Sequence, residues 1–329
     1  MSAADRALGA LEGLAFGDAL GMPTQSMSRR EIQEDYGPIR GFLAAGPRQK
    51  IAAGMPAGSV TDDTEQAVLL AQLLIEGSGQ VDVAVFAERL LDWEAAMAER
   101  GSLDLLGPST KSALQRLSDG LPAEEAGRYG TTNGAAMRIT PLGIVRSTRS
   151  VPKFVDAVEA TSVATHNTSL GIASAAAVGA AVSAGVDGAD LAEAVEIAIA
   201  AADEGARRGH WAAGGEIGPR LRWAIPYLQT LPASRRADAV AEVIGTSVAS
   251  QESVVAAFAL AATADDPWDT LCVAAGLGGD TDTVAAMAGA ILGATHGTAV
   301  WPDRERVVLD EANDLDLARL ARDLLALRA

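Results

Sequence analysis

The chain has a single cysteine, Cys272, among its 329 residues. No intramolecular disulfide can staple the fold, and the apolar neighbours Leu271 and Val273 predict a buried thiol. That usage fits a reducing compartment, so a cytoplasmic location is expected. Aromatic residues make up only 4%, which leaves the core to aliphatic side chains, with Ala and Gly frequent enough that helices must pack closely. The three histidines, His166, His210 and His296, fall in no HExxH pattern, and one cysteine cannot form a CxxC pair, which speaks against a zinc site. Clustered basic residues are missing too: 26 Lys and Arg face 43 Asp and Glu, for a formal net charge of −17. A nucleic-acid backbone would find nothing to hold it, so no nucleic-acid partner is expected. No signal-like or membrane-spanning segment stands out. Asp5, Arg6, Glu12 and Asp18 break up the first apolar stretch, and the Ala-rich run 172–186 falls short of the roughly 20 apolar residues a bilayer requires. No membrane partner is expected, and the oligomeric state is left open.

Alternating strand patterns are almost absent, whereas helical periodicity recurs along the whole chain. It predicts helices over 2–20, 29–36, 64–76, 81–99, 108–117, 152–161, 168–184, 189–206, 220–228, 234–243, 253–262, 267–275, 283–296 and 315–327. Gly and Pro clusters mark the breaks. The longest stretch without a helical pattern, 37–60, leads into an acidic motif and reads as a mobile flap. No Pro/Ser-rich or charged linker divides the chain, so the expectation is a compact, all-α, single-domain helical bundle over residues 1–329.

Against this background two motifs stand out, Thr61-Asp62-Asp63-Thr64 and Gly278-Gly279-Asp280-Thr281-Asp282-Thr283. Each precedes a long apolar run. Either one alone reads as a helix cap, with Asp62 as N-cap and Glu65 completing a capping box. A cap needs one acid, however, and each motif supplies two with flanking threonines. Four carboxylates gathered at one point would repel strongly unless cations lay between them. Oxygen-only donors favour Mg²⁺, Mn²⁺ or Ca²⁺, and two such ions could clamp the vicinal hydroxyls of a sugar together with a water.

Weaker signals complete the inventory. The stretch from Thr131 to Arg138 combines small residues with one amide and one guanidinium; it is either a tight turn or a loop that offers backbone N–H groups to oxygen ligands. Thr165-His166-Asn167 either caps the next helix, through Asn167 or Thr168, or presents His166 to a ligand. Gly17-Asp18-Ala19-Leu20-Gly21 is neither a P-loop nor a dinucleotide fingerprint, and Asp18 either orients a neighbouring ligand or solvates a helix end. Glu252 reads first as a cap.

Taken in order, Gly17-Asp18-Ala19-Leu20-Gly21, Thr61-Asp62-Asp63-Thr64, Asn133-Gly134-Ala135-Ala136-Met137-Arg138, Thr165-His166 and the 278–283 motif resemble the ADP-ribosylglycohydrolase family over about residues 8 to 297. The resemblance implies an orthogonal helical bundle with two Mg²⁺ or Mn²⁺ ions in a central cleft, where a glycosidic bond at a ribose C1 is hydrolysed. It assigns Thr61, Asp62, Asp63, Asp280, Asp282 and Thr283 to the metals, with Asp282 shared and Asp62 and Asp63 as catalytic candidates. Asp18, Gln25, Asn133, Gly134, Ala135, Met137, Arg138 and His166 would contact or support the substrate, an ADP-ribosylated protein or a small conjugate. One position departs from the pattern: Gln25 stands where members acting on ADP-ribosylated conjugates often have glutamate. An amide cannot take a proton from water, so either Asp62 or Asp63 is the base or the substrate differs. Leu105-Leu106-Gly107-Pro108-Ser109-Thr110-Lys111, with the 132–138 segment, resembles bacterial members found beside sugar kinases and nucleoside transporters, which implies a nucleoside or other N-riboside as the alternative substrate. A non-catalytic ADP-ribose-binding protein is a further alternative.

Overall fold

The computed structural model describes residues 1–99 and 107–328. Within them the helices run α1 (Ala3–Gly21), α2 (Arg29–Asp35), α3 (Asp62–Glu76), α4 (Val83–Glu99), α5 (Pro108–Ser118), α6 (Ala123–Ala126), α7 (Gly134–Met137), α8 (Thr140–Val145), α9 (Val151–His166), α10 (Ser169–Val186), α11 (Leu191–Gly205), α12 (Ile217–Gln229), α13 (Ala233–Ala239), α14 (Ser250–Ala261), α15 (Pro267–Ala275), α16 (Thr281–His296), α17 (Asp303–Ala312) and α18 (Leu317–Ala326). The fold is all-α. Extended pairing among the described residues is limited to three isolated bridges, Met27 with Gly279, Thr132 with Ala249 and Thr168 with His210.

Small side chains decide the architecture. Every residue of α10 is buried. By length and hydropathy α10 could cross a membrane, yet it is enclosed by the rest of the protein; α8, α9, α11 and α16 surround it. On α1, Gly9, Gly13, Gly17 and Gly21 recur at every fourth position and so share one face. That face lies on Gly293, Gly289, Ala285 and Asp282 of α16, which runs antiparallel to it. A Cβ built on Gly13 would sit 2.1 Å from the Gly289 carbonyl oxygen, and one on Gly289 only 1.9 Å from that of Gly13. The two backbones touch, and a helix near each end of the sequence is thereby fixed against the other.

Several boundaries differ from the periodic reading, each for a local reason. Helix α3 begins at Asp62, so Asp62 is no cap and no capping box forms; Thr61 is the N-cap residue, and Glu65 instead accepts from Trp93 Nε1 at 2.6 Å. Residues 17–21 form the last turn of α1, which ends one residue beyond the expected helix 2–20. Helices α6, α7, α8 and α17 have no counterpart in the expected set; the first three are too short for a period to emerge, and α17 buries only Leu309. Residues 37–60 contain no helix, as expected, but they are tied down. Gln49 Nε2 donates to Gln25 O at 2.9 Å, Gly46 N donates to Tyr36 Oη at 2.7 Å, and Asn313 Nδ2 donates to Gly58 O at 2.8 Å.

Candidate active site: a buried carboxylate cluster

The contact between α1 and α16 aims the start of α16 at the start of α3. Asp62 and Asp63 occupy the first turn of α3; Asp280 is the N-cap residue of α16 and Asp282 lies in its first turn. Thr283 Oγ1 donates to Asp63 Oδ2 at 3.2 Å and joins motifs 220 residues apart. The positive ends of two helix dipoles therefore converge on the carboxylates and favour their ionised form. Asp62, Asp63 and Asp282 are buried, while Asp280 is the most open of the four.

A fifth carboxylate, Asp18, underlies them. Its Oδ1 accepts from Thr61 Oγ1 at 2.7 Å, and its Oδ2 accepts from Thr61 N at 2.9 Å, Thr64 N at 3.1 Å and Thr64 Oγ1 at 2.6 Å. Thr61 makes no capping bond of its own, so α1 caps α3 through space. With no exposed surface and both oxygens engaged, Asp18 positions Thr61 and Thr64. By giving its proton to Asp18, the Thr61 hydroxyl keeps lone pairs available for a cation.

Electrostatics mark the cluster as unbalanced. Burial, and after it the neighbouring carboxylates, holds Asp62, Asp63 and Asp282 well above the usual carboxylate range. Burial pushes Asp18 up to about 6 against the lowering effect of its four hydrogen bonds. Asp280 is raised by burial and eased by bonds from Asn133 and Thr283. The Oδ1 atom of Asp63 is buried with no hydrogen-bond partner, a costly state for a carboxylate oxygen. Among the described residues no three acidic, histidine or cysteine side chains close around a single point; the donors are spread over two helix starts, with Thr61 and Thr283 hydroxyls among them.

The 131–138 segment stands beside the cluster and supports it. Asn133 Nδ2 donates to Asp280 Oδ2 and, at 3.0 Å, to Ser253 Oγ. Arg138 is only 1% exposed; it donates to Gln66 Oε1 at 3.0 Å and to Thr165 Oγ1 at 2.6 Å, and stands over the Phe86 ring. Gln66 Nε2 in turn points at Asp62 Oδ2, 3.5 Å away. Burial lowers Arg138 to about 9. His166, the last residue of α9, is fully buried between Thr165 and Thr132, at 2.8 and 2.9 Å from its ring nitrogens. Desolvation, followed by Arg138, holds its pKa well below 6.5, so the ring is neutral at pH 7. Arg138 and His166 are thus buried behind the cluster, with their polar atoms engaged by neighbouring side chains. Gly134 packs on the His166 ring, where a Cβ would lie 2.8 Å from Cε1, and Ala135 and Met137 are buried as well. Thr168, not Asn167, caps α10 by accepting from Gly171 N.

Gln25 sits against the α16 start. On one side Thr24 Oγ1 lies 2.9 Å from Thr281 Oγ1, and on the other Ser26 N donates to Gly279 O at 2.6 Å. These two ties hold Gln25 beside the 278–283 motif. Its side chain is 6% exposed and its Nε2 has no partner. Among the residues the sequence reading passed over, Gln66 had a local signal, its spacing four residues after Asp62 on one helix face. Thr24 and Ser253 had none, since their contacts come from distant parts of the chain. Leu105 and Leu106 lie outside the described residues.

A family model for ADP-ribosylglycohydrolases matches residues 1–329. The chain belongs to the ADP-ribosylglycohydrolase family. It is 35% identical over 326 residues to the uncharacterized protein YegU of Escherichia coli (strain K12), covering 98% of this chain and 97% of that one. It is 27% identical to the ADP-ribosylarginine hydrolase Tri1 of Pseudomonas putida (strain GB-1), covering 91% and 73%. Among solved structures, an ADP-ribosylglycohydrolase-related protein superposes with a TM-score of 0.74 at 26% identity, covering 100% of this chain and 99% of the other. Glycohydrolase-type hydrolysis follows from membership, and the helical bundle is the family's own.

Proposed function

We propose that this ADP-ribosylglycohydrolase-family chain is a divalent-metal-dependent hydrolase that cleaves the bond at ribose C1 of an ADP-ribosylated protein or small conjugate. The observation that carries this reading is the Asp63 carboxylate, buried among like charges with one oxygen unpartnered. Thr61, Asp62, Asp63, Asp280, Asp282 and Thr283 offer hard oxygen donors of the kind that suit Mg²⁺ or Mn²⁺. When bound, such cations would neutralise the cluster and polarise oxygens of the ribose.

The chain's own residues supply the rest. Asp62, which is less enclosed than Asp63, takes a proton from water as the water oxygen attacks C1; the glycosidic electron pair leaves with the departing group, which then receives that proton from Asp62. Gln66, itself held by Arg138, keeps the Asp62 carboxylate oriented. Asn133 does the same for Asp280. Gln25 cannot titrate, so it orients a ligand without exchanging protons.

A second reading, hydrolysis of a nucleoside or other N-riboside, draws support from Arg138. Its guanidinium is buried and engaged, so the 131–138 segment brings no free cation to a diphosphate. Parallel assays of ADP-ribose release from ADP-ribosyl-arginine and of ribose release from nucleosides, with Mn²⁺ present, test the choice. Faster turnover of the first supports the main reading; turnover of nucleosides alone overturns it in favour of the second.

A further inference from the structure

Away from the carboxylates, a cavity of about 730 Å³ opens between α2 with the segment that follows it and the α13–α15 face. Its floor is apolar, with Ile32, Ile39, Cys272 and Leu277 all buried. Its two rims carry opposite charge: Arg29, Arg30 and Arg40 on one side, Glu242 and Asp269 on the other. Arg29 is committed, since both its terminal nitrogens lie 3.0 Å from Asp238 Oδ1. Among the described residues Arg30 approaches only Glu34, at 3.8 Å with its side chain 85% exposed. Burial, and after it Asp269, Glu305 and Asp266, raises the Cys272 thiol in the floor and Arg40 lowers it, and among the described residues Arg40 and Asp269 form no ion pair with each other.

We propose that this cavity is a second binding site, for a phosphorylated riboside of nucleoside-monophosphate size. Guanidinium forks match phosphate oxygens, which assigns the phosphate to Arg30 and Arg40. Ionised carboxylates only accept hydrogen bonds, which suits the ribose hydroxyls to Glu242 and Asp269. The apolar floor receives the base. A bare anion would be opposed by the acidic rim and a cationic ligand by the arginines, so a ligand with an anion at one end and hydroxyls at the other fits both. The cavity volume lies within the range of about 300–1,000 Å³ common for sites of small molecules. The floor also continues from Leu277 into Gly278-Gly279-Asp280, and a Cβ on Gly278 would meet Arg29 N at 2.8 Å; the site therefore lies directly behind the loop that carries Asp280.

Calorimetry of the full chain with AMP tests the assignment independently of any hydrolysis. Saturable binding is expected, weakened about tenfold or more by Arg40→Glu and by Arg30→Glu and unchanged by Asp63→Ala in the carboxylate cluster. Both arginines are exposed, and thermal melts establish that the charge reversals leave the fold intact. Ribose 5-phosphate, which lacks the base, should bind more weakly than AMP. The proposal is overturned if the wild-type chain gives no heat with AMP up to about 10 mM. It is equally overturned if Asp63→Ala abolishes binding while Arg40→Glu retains it, because AMP would then occupy the carboxylate cleft.

Discussion

Asp63 carries one oxygen bonded to Thr283 and one bonded to nothing, and its substitution separates a catalytic from a structural role. Asp63→Ala is expected to lower kcat by about two orders of magnitude or more, because a cation donor is lost at the reacting centre. Removal of a like charge should leave the chelator-treated variant at least as heat-stable as wild type, so a loss of activity accompanied by a large fall in Tm contradicts the assignment. Asn133 is a different case. Its amide is spent on Asp280 and Ser253, not held out toward a distal phosphate. Asn133→Ala should therefore depress turnover of ADP-ribosyl-arginine and of a plain riboside to a similar extent, as parallel kinetics on the two substrates would reveal. A KM effect confined to the ADP-ribosylated substrate would return Asn133 to direct substrate contact. The two acidic motifs were legible in the sequence because they repeat a pattern that one cap does not need. Asp18 was visible only as an acid near a glycine, since its partners Thr61 and Thr64 lie more than forty residues away.

Among the elements, the α1–α16 pair decides whether the site exists at all. The four-residue glycine spacing on α1 brings Gly21 onto Asp282, where a Cβ would fall 2.3 Å from the Asp282 Cα. Gly13→Ala places a methyl group 2.1 Å from a backbone oxygen that belongs to a helix, so the helices must separate. A loss of about 3 kcal/mol or more is expected in urea unfolding, together with reduced activity although Gly13 touches no carboxylate. A loss below about 1 kcal/mol would mean that the two helices do not touch as described. Sequence periodicity found the long amphipathic helices, including α15 with both ends in register. It missed the starts of α3, α14 and α16 by two or three residues, because their first turns are polar and carry no apolar stripe. The abundance of Ala and Gly predicts close helix packing, but not that the α1 glycines form the contact stripe, since glycine weakens an isolated helix and its value appears only with a partner backbone alongside.

For the whole molecule, the balance of charge governs stability. The raised pKa values of Asp18, Asp62, Asp63, Asp280 and Asp282 mean that the folded, ion-free protein holds protons more tightly than the unfolded chain. Stability then falls as pH rises from the ordinary carboxylate range through the folded-state values, with about 6 as the marker set by Asp18. Chelator-treated protein should accordingly melt at a higher temperature at pH 5.5 than at pH 7.5, and added Mn²⁺ should shrink or reverse the difference by binding only the ionised cluster. An ion-free Tm that rises with pH over this interval would contradict the charge assignment. Family membership and the all-helical architecture were both within reach of the sequence. The anchoring of residues 37–60 and the burial of Arg138 were not, because each depends on contacts that form only when distant segments meet.

Two acidic motifs more than two hundred residues apart are proposed to form one centre for two divalent cations. Titration of chelator-treated protein with Mn²⁺, followed by calorimetry, measures it directly. Saturable binding near two ions per chain is expected, with at least one lost in Asp282→Ala. No saturable binding at millimolar Mn²⁺, or an unchanged stoichiometry in that variant, would contradict it.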